Sequence, residues 1–255
     1  MKGQVGTLVK AMDVLDALGN TGPLGVMELS RMLKMDKSGV SRLLSTLKSR
    51  EYVRVLSDGR HDLGLRLFEL GHILQARMPV RQTVIPHVEA LGRETGETAS
   101  AAHYHLGQVS YLHDCISGKE IRLGGRVGLR CLPWHDVCGK AILAFCNEDY
   151  VLECLKHDQQ AGTPSIPSPS ELLAELGEIR KRGYALEKTD ERCVIAAPVP
   201  CHHRPISIAL MVGGPSSRLK KSDIKRLGLS ATQHAQQAAR SLGWKSNLAK
   251  NPKSN

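Results

Sequence analysis

Basic and hydroxyl-bearing side chains recur along one segment near the start of the chain. They are Lys37, Ser38, Ser41, Arg42, Ser45 and Lys48. The apolar residues between them have the spacing of one face of an α-helix, and they are Val40, Leu43, Leu44 and Leu47. Ammonium, guanidinium and hydroxyl groups donate hydrogen bonds to phosphate oxygens and to base edges. One side of this predicted helix therefore has the chemistry of a nucleic-acid contact, and the plainer alternative is a solvated helix face.

A second predicted helix lies directly before this one. Leu29, Met32 and Leu33 form a short apolar stripe, and residues 34–35 fill a tight turn. Asp36 stands at the expected N-cap of the following helix, where a carboxylate accepts hydrogen bonds from free backbone N–H groups. Two short helices in this arrangement predict a helix-turn-helix, whose second helix suits the major groove of DNA.

The segment after these helices predicts a β-hairpin. Residues 51–56 are typical of a strand, and residues 57–60 contain the Asp-Gly signal of a tight turn. A hairpin that directly follows a helix-turn-helix is a wing. Arg54, Arg60 and His61 would lie on or beside this wing, within reach of phosphates or of the minor groove.

A catalytic group could be formed by three residues from the second half of the chain. Cys193 would be the nucleophile, His135 the base and Asp136 the residue that orients the base. However, Cys193 lies in the apolar stretch 192–197 without a nucleophile elbow, and a cysteine in such a strand is usually a small hydrophobic residue. The sequence therefore favours a protein that is not an enzyme.

Several histidines and cysteines have the chemistry of zinc ligands. The candidate groups are His103 with His105, His135 with Asp136 and Cys138, and Cys201 with His202 and His203. No zinc-finger spacing occurs among them, so we expect no cofactor, with zinc as the alternative. The glycine-rich run 124–128 lacks the Lys-Ser/Thr ending of a phosphate-binding loop and is interpreted as a structural loop.

Charge is unevenly distributed along the chain, which has 255 residues and a formal net charge of +10. Residues 1–80 hold 12 basic against 8 acidic side chains, residues 81–217 hold 14 against 16, and residues 218–255 hold 9 against 1. Basic ends around a nearly neutral middle suit a DNA-binding unit followed by a separate sensing unit. The lysine-rich end itself is expected to be a flexible tail.

The same composition disfavours membrane and secreted proteins. No apolar run approaches the roughly 20 residues that a bilayer span needs, and no secretory leader is expected at the amino end. Seven cysteines at irregular spacing indicate reduced thiols rather than a disulfide framework. We therefore expect a cytoplasmic protein without a membrane partner.

The remaining pattern predicts an α+β fold with an antiparallel sheet. A first helix is marked by Leu8, Met12, Leu15 and Leu18, and further predicted helices cover residues 65–74, 137–146, 149–156, 170–182 and 221–242. Predicted strands cover residues 98–105, 108–115, 192–199 and 206–212. Another helical stripe consists of Val80, Val84, Val88 and Leu91. Pro86 predicts a break in that helix, and Ser170 is the expected cap of the helix that ends at Arg182.

Motifs along nearly the whole chain resemble the IclR family of bacterial transcription regulators. The first part is similar in ELSRMLKMDKSGVSRLLSTLKSREYV and DLGLRLFELG, and the rest in LGRETGETAS, GLRCLPWHDVCGKAILAF, RGYALE and RCVIAAPV. The resemblance implies a winged helix-turn-helix domain at residues 1–63 and a helical linker for dimerisation at residues 64–79. It implies an effector-binding, GAF-like domain at residues 80–243, followed by the basic flexible tail at residues 244–255.

The resemblance also assigns residues to DNA binding. The implied contacts on the second helix of the helix-turn-helix are Lys37, Ser38, Val40, Ser41 and Arg42, with Arg54 and Arg60 on the wing. It implies a transcription regulator, here expected to be a repressor, that binds a partly palindromic double-stranded operator. The oligomer would be a dimer or a dimer of dimers, because a symmetric operator requires symmetric heads.

A small-molecule effector is implied between the sheet and the helix of the GKA motif. The implied lining residues are Leu123, Asp136, Val137, Glu187, Cys193, Met211 and Gly213. The chain departs from the family pattern around Trp134 and at Met211 and Gly213, where the family usually has smaller groups or polar serines. These departures favour an organic acid with an aliphatic or aromatic body as the effector.

Two other classes of protein remain open from the sequence. One is a metal-binding or small-molecule-binding protein or enzyme that retains a vestigial helix-turn-helix. The other is a protein–protein adaptor, because helix-turn-helix folds also serve as interaction modules. The basic face of the 37–48 segment argues against the adaptor.

Overall fold

The computed structural model describes residues 5–160, 162–163, 165–201 and 207–243. The chain divides into two compact units, Met1–Met78 and Pro79–Asn255, which we call the head and the body. The predicted linker helix thus falls within the head unit, and the predicted tail at 244–255 lies outside the described residues. No helix among the described residues is both long enough and apolar enough to cross a membrane.

The head is a winged helix-turn-helix, which confirms the predicted fold of this part. The helices of this winged helix-turn-helix are α1 (Gly6–Thr21), α2 (Val26–Met32) and α3 (Lys37–Ser49), and its hairpin consists of β1 (Val53–Val55) and β2 (His61–Leu63). The two strands are antiparallel, and a further bridge joins Leu24 to His61. One core holds these elements together, formed by Val14, Ala17, Leu18, Leu24, Leu29, Val40, Leu44 and Val53.

Apolar side chains also remain on the outside of the head. The predicted stripe of α1 is only partly correct, because Leu8 and Met12 are each more than half exposed, whereas Val14 and Leu18 are buried. The last helix of the head, α4 (Leu65–Ala76), buries no side chain within the described residues. Phe68 of α4 is 70% exposed. Both helices therefore present apolar surface that the head itself does not cover.

The body is built on a six-stranded antiparallel sheet. Its strands are β3 (Thr98–His105), β4 (Gln108–Cys115), β5 (Arg130–Cys131), β6 (Ala185–Lys188), β7 (Arg192–Pro198) and β8 (Ile208–Pro215). Their order across the sheet is β5-β4-β3-β8-β7-β6. The fold class α+β with an antiparallel sheet is thereby confirmed.

Helices cover both faces of this sheet. The helices are α5 (Pro79–Thr95), α6 (Val137–Leu143), α7 (Glu148–Gln160), α8 (Pro169–Arg182) and α9 (Lys221–Ser241). Side chains of α6, α7 and α8 share a core with one set of strand residues, which we call the α6 face. Side chains of α5 and α9 share a second core with the alternate strand residues, which we call the α9 face.

Several local predictions for the body are wrong. The helix α5 continues through Pro86, because the full burial of Val84 and Val88 offsets the one backbone N–H that proline lacks. Ser168 rather than Ser170 caps α8, and its hydroxyl accepts a hydrogen bond from the backbone N–H of Glu171. The short strands β5 and β6 lack a predicted counterpart, because two to four residues are too few to show a period.

A buried carboxylate fastens the loop after β4 to the segment after β8. The side chain of Glu97 is 3% exposed and accepts two hydrogen bonds from Arg218, each at 2.8 Å. Lys119 donates a third to it at 2.7 Å. Burial alone would raise the pKa of Glu97, but Arg218 and Lys119 outweigh it and hold the pKa below its usual range. This triad therefore fixes the start of the loop that leads to residue 126.

We predict that Glu97→Gln lowers the free energy of unfolding of the body by about 1–3 kcal/mol at pH 7, because two cations lose their buried partner. A carboxyl group with a depressed pKa contributes stability above its unfolded pKa, about 4.3 for glutamate, and loses it as the pH falls through the folded pKa. The difference in free energy of unfolding between the wild type and the variant should therefore shrink as the pH falls below about 4.3. Urea denaturation followed by circular dichroism at several pH values measures it.

A matched control is Glu178→Gln, which removes an exposed carboxylate of α8 that pairs with Lys181. Exposed pairs of this kind contribute about 0–1 kcal/mol, so the control should differ little from the wild type. Equal effects of the two substitutions would contradict the role given to Glu97.

Candidate DNA-binding face and ligand-binding site

The start of α3 is fixed by one carboxylate. Asp36 accepts a hydrogen bond from the backbone N–H of Gly39 at 2.7 Å and another from the hydroxyl of Ser38 at 2.6 Å. The Ser38 and Gly39 hydrogen bonds lower the pKa of Asp36, so the cap stays ionised at neutral pH. The predicted N-cap is confirmed, and it sets where the first exposed turn of α3 begins.

Packing of α3 separates its two sides. Val40 and Leu44 are buried in the core of the head, with Leu43 and Leu47 half-buried beside them. The predicted contact residues that remain exposed are Lys37, Ser38, Ser41 and Arg42. Among the described residues, neither Lys37 nor Arg42 forms an ion pair, so both cations are open to an incoming anion.

Val40 does not fit the DNA-contact role that the family resemblance gave it. Its side chain has no exposed surface, because it occupies the apolar position at which α3 packs against the other helices of the head. It supports the exposed face of α3 from inside and cannot reach a base edge.

The arginines of the wing are exposed but paired. Arg54 lies 2.6 Å from Asp62 on the neighbouring strand, and Arg60 lies 2.7 Å from Asp58 in the turn. Exposed ion pairs contribute about 0–1 kcal/mol. Phosphate oxygens can therefore replace these carboxylates at a small cost in free energy. The wing is compatible with a contact to the sugar-phosphate backbone of DNA.

In the body, Asp136 has the role that Asp36 has in the head. It caps α6 by accepting hydrogen bonds from the backbone N–H groups of Cys138 and Gly139, and it also accepts one from the hydroxyl of Tyr111 at 2.7 Å. Burial, with Cys138 and Asp136 nearby, raises the pKa of Tyr111 far above its usual value. The phenol therefore stays protonated and donates to Asp136.

A cation lies beside this pair. The guanidinium of Arg126 stacks over the ring of Tyr111 at 4.7 Å, and its nearest carboxylate, Asp136, is 3.8 Å away, beyond hydrogen-bond distance. Its Nη1 atom is 3.6 Å from the sulfur of Met211, a weak acceptor. Within the described part of the chain, the side chain of Arg126 has no oxygen acceptor.

Two polar side chains of the sheet hold the loop that carries Arg126. Asp114 accepts hydrogen bonds from the backbone N–H groups of Arg126 and Val127 at 2.6 and 2.8 Å. Thr98 donates to the carbonyl oxygen of Leu123 at 2.9 Å. The glycine-rich run is thus a structural loop whose N–H groups bind a carboxylate of the protein.

Most of the predicted effector-lining residues lie on the α6 face. Val137 and Met211 belong to its core, with Leu123 packed against it, and Glu187 pairs in register with Val194 on the same face. Glu187 is also bound to Arg192 at 2.7 Å. At Gly213 a Cβ would lie 2.6 Å from the carbonyl oxygen of Cys193, so only glycine fits there.

Cys193 is the exception. It belongs to the core of the α9 face, together with Ile195 and Ala197, whereas Val194 belongs to the α6 face. Side chains of successive strand residues point to opposite faces, so Cys193 cannot line a site that includes Met211 or Asp136. The expectation that it contacts the effector is therefore wrong.

Four polar residues of this site were missed from the sequence, namely Ser100, Tyr111, Asp114 and Arg126. Ser100 faces Asp114 on one neighbouring strand and Met211 on the other, which assigns it to the α6 face. No sequence signal distinguishes the faces in β3, because its residues are small or polar and are buried on both sides. Only the register of the strands brings the four residues together.

The alternative chemistries find no support in this geometry. His135 is exposed, and Cys193 and Asp136 lie on opposite sides of the sheet, so they do not form a catalytic group. Among the described residues, no three His, Cys, Asp or Glu side chains are grouped so that they could hold a metal ion. His202 and His203, which were part of one candidate zinc group, lie outside the described residues.

Comparisons with known proteins assign the head and the body to the same family. The model of the IclR helix-turn-helix domain matches residues 7–57, and that of the bacterial transcriptional regulator IclR C-terminal domain matches residues 72–242. The transcriptional regulator KdgR of Dickeya chrysanthemi is 30% identical over 227 residues, which covers 86% of this chain and 74% of that protein.

Two further comparisons concern the whole chain. The transcriptional repressor IclR of Escherichia coli is 26% identical, over 94% of this chain and 91% of that protein. The crystal structure of an IclR transcriptional regulator from Alicyclobacillus acidocaldarius superposes with a TM-score of 0.78 at 22% identity, covering 93% of this chain and 99% of that one. The structural likeness concerns the fold alone.

A winged helix-turn-helix with an open basic face, in one chain with a separate sheet domain, defines a DNA-binding transcriptional regulator. The two family models together match most of the chain. The chain therefore belongs to the IclR family of bacterial transcriptional regulators, a family that is not enzymatic.

We predict that Tyr111→Phe lowers the free energy of unfolding of the body by about 1–3 kcal/mol, because the buried carboxylate of Asp136 loses one of its three donors. Urea denaturation followed by circular dichroism measures the difference. Tyr184→Phe is the control, since the hydroxyl of Tyr184 makes no hydrogen bond within the described residues. A loss for Tyr111→Phe no larger than that of the control would refute the capping role of the phenol.

Proposed function

We propose that this regulator binds its operator through the first turns of α3 and through the wing. The observation that carries the proposal is the exposed row of Lys37, Ser38, Ser41 and Arg42 on a helix whose opposite side is packed in the core of the head. Arg54 and Arg60 would contact the sugar-phosphate backbone. Phosphate contacts of this kind supply much of the affinity and make it steeply dependent on salt.

The effector is proposed to be a small organic or aromatic acid bound on the α6 face of the body. Arg126 supports an anionic ligand, because a guanidinium without an oxygen acceptor can bind a carboxylate. Tyr111 and Met211 offer apolar contact area beside it. The lining residues proposed from the family resemblance are retained except Cys193, and they are Leu123, Asp136, Val137, Glu187, Met211 and Gly213.

Repression is the proposed mode of action, which the relation to the Escherichia coli repressor supports. An effector regulates DNA binding only if it binds one conformational state better than the other. A difference of about 1–3 kcal/mol between the states is typical of such coupling. The effector would thus release the operator by stabilising the state that binds DNA poorly.

The oligomer is proposed to be a homodimer, or a dimer of dimers, that forms through the exposed apolar residues of the head. On α4 these residues are Leu65, Phe68, Leu70, Ile73 and Leu74, and on α1 they include Leu8 and Met12. A second copy of the chain is the partner that a symmetric operator requires. Burial of these side chains would supply the association energy.

We predict that Arg42→Ala weakens operator binding about five- to 150-fold without changing the oligomer. The loss of a base contact costs about 1–3 kcal/mol, whereas the loss of a phosphate contact also reduces the salt slope by about 1. Fluorescence anisotropy with DNA from upstream of the protein's own gene, measured at several salt concentrations, distinguishes the two roles.

The matched control for this experiment is Arg240→Ala, which changes another exposed arginine, near the end of α9 in the body. It should bind the operator as the wild type does. If Arg42→Ala retains full affinity and an unchanged salt slope, Arg42 is not a DNA contact.

We predict that Phe68→Glu shifts the protein from dimer to monomer, because a charge replaces an apolar side chain at the proposed interface. Analytical ultracentrifugation at micromolar concentration measures the mass. Leu106→Glu is the control: Leu106 is 85% exposed at the β3–β4 turn and belongs to the body, whereas the proposed interface belongs to the head. An unchanged mass for Phe68→Glu would place the interface elsewhere.

A further inference from the structure

Two buried polar atoms of the body's sheet, both on the α6 face, have no hydrogen-bond partner among the described residues. They are the hydroxyl oxygen of Ser100 and the Oδ1 atom of Asp114. The two residues are direct partners in the β3–β4 ladder, so their Cβ atoms are about 4.5–5.5 Å apart. Buried polar groups are almost always satisfied, and an exception indicates that a water, an ion or a ligand completes the site.

The cation of the site lies next to this pair. The Nη1 atom of Arg126 contacts Met211, and Met211 is the other ladder partner of Ser100. The backbone of Arg126 is held by the remaining oxygen of Asp114, Oδ2. Three groups with unused hydrogen-bonding capacity thus lie close to one another. They are the guanidinium of Arg126, the hydroxyl of Ser100 and the Oδ1 atom of Asp114.

The two nearby carboxylates do not neutralise this cation by direct hydrogen bonds. Asp114 binds two backbone N–H groups through Oδ2, and Asp136 binds two others together with the hydroxyl of Tyr111. Their negative charge nevertheless disfavours a ligand with several carboxylates. The guanidinium therefore suits a ligand with a single carboxylate.

The unpartnered oxygen of Asp114 adds a second requirement. An ionised carboxylate accepts hydrogen bonds and cannot donate them, whereas the hydroxyl of Ser100 can do both. A ligand group between them must be a donor, and a hydroxyl group satisfies both residues at once. An acid that carries only an aliphatic or aromatic body would leave both buried atoms unpaired.

We propose that the effector is a hydroxylated monocarboxylic acid, whose carboxylate binds Arg126 and whose hydroxyl group binds Ser100 and Asp114. This inference rests on the proposed effector site and makes its ligand class narrower. Ser100 is then the residue that distinguishes a hydroxy acid from its deoxy counterpart, because sites built to bind a buried hydroxyl reject the analogue that lacks it.

The test uses matched acids that differ by hydroxyl groups only, with the full-length protein. The pairs are lactate and propionate, gluconate and hexanoate, and 4-hydroxybenzoate and benzoate, with the amide of each hydroxy acid as the neutral analogue. Thermal shift identifies binders, since a ligand of the native state raises Tm, and calorimetry gives Kd. We expect at least one hydroxy acid to bind tenfold or more tightly than both its deoxy partner and its amide.

Two variants then assign the contacts. Ser100→Ala should weaken binding of the hydroxy acid at least tenfold and leave binding of the deoxy acid unchanged. The preference for the hydroxy acid over the deoxy acid then disappears. The unliganded Tm of this variant should equal or exceed that of the wild type, because the substitution removes an unpartnered buried hydroxyl. Arg126→Met should abolish the preference for the acid over the amide. Ser110→Ala, a half-buried serine on the other face of the sheet, is the control and should change neither preference.

The outcomes separate this inference from the proposed function. If deoxy acids bind as tightly as hydroxy acids and release the operator, the regulator has an organic-acid effector and the hydroxy-acid inference is wrong. If Ser100→Ala retains the preference, Ser100 does not read the hydroxyl. If no acid of the three pairs binds, the site does not take a hydroxylated monocarboxylate and the inference is overturned, while operator binding by the head is still tested independently by Arg42→Ala.

Discussion

Helices cover the sheet of the body on both faces, and this constraint decides which side chains can form a ligand site. Because strand residues alternate, Cys193 and Val194 belong to different cores although they are adjacent in the chain. Only the residues of the α6 face share a space with Asp136 and Arg126. The candidate site is therefore a property of strand register, and a shift by one residue would exchange its whole lining.

Carboxylates that bind backbone N–H groups are the second organising feature. Asp36 fixes the start of α3, Asp136 fixes the start of α6, and Asp114 holds the loop at residues 126–127. Because these carboxylates are occupied by neutral donors, nearby cations keep open hydrogen-bonding capacity. The same arrangement thus leaves Arg42 in the head and Arg126 in the body available for the operator and the effector proposed above.

In the described part of the chain, the arginines of the wing, unlike Arg42, are paired with carboxylates. Arg54 and Arg60 are held by acidic neighbours at the surface, where water weakens the attraction. They can exchange these partners for phosphates without a large change in free energy. The head therefore combines two cations of α3, Lys37 and Arg42, which form no ion pair within the described residues, with paired arginines on the wing.

Residues whose pattern depends on one local element could be assigned from the sequence. The stripe of leucines, the cap at Asp36 and the Asp-Gly turn determined the helix-turn-helix and its wing, because helix periodicity and turn chemistry act over fewer than ten residues. Along the body, motifs that resemble one family indicated the fold class and the general position of the site. Only the tertiary structure decided that Val40 is buried, that α5 continues through Pro86, and that Cys193 faces away from Asp136. The physical reason is that burial on both faces erases the alternation of polar and apolar residues in β3, β7 and β8, so that the pairing of strands distant in sequence, and not their composition, determines which side chains meet.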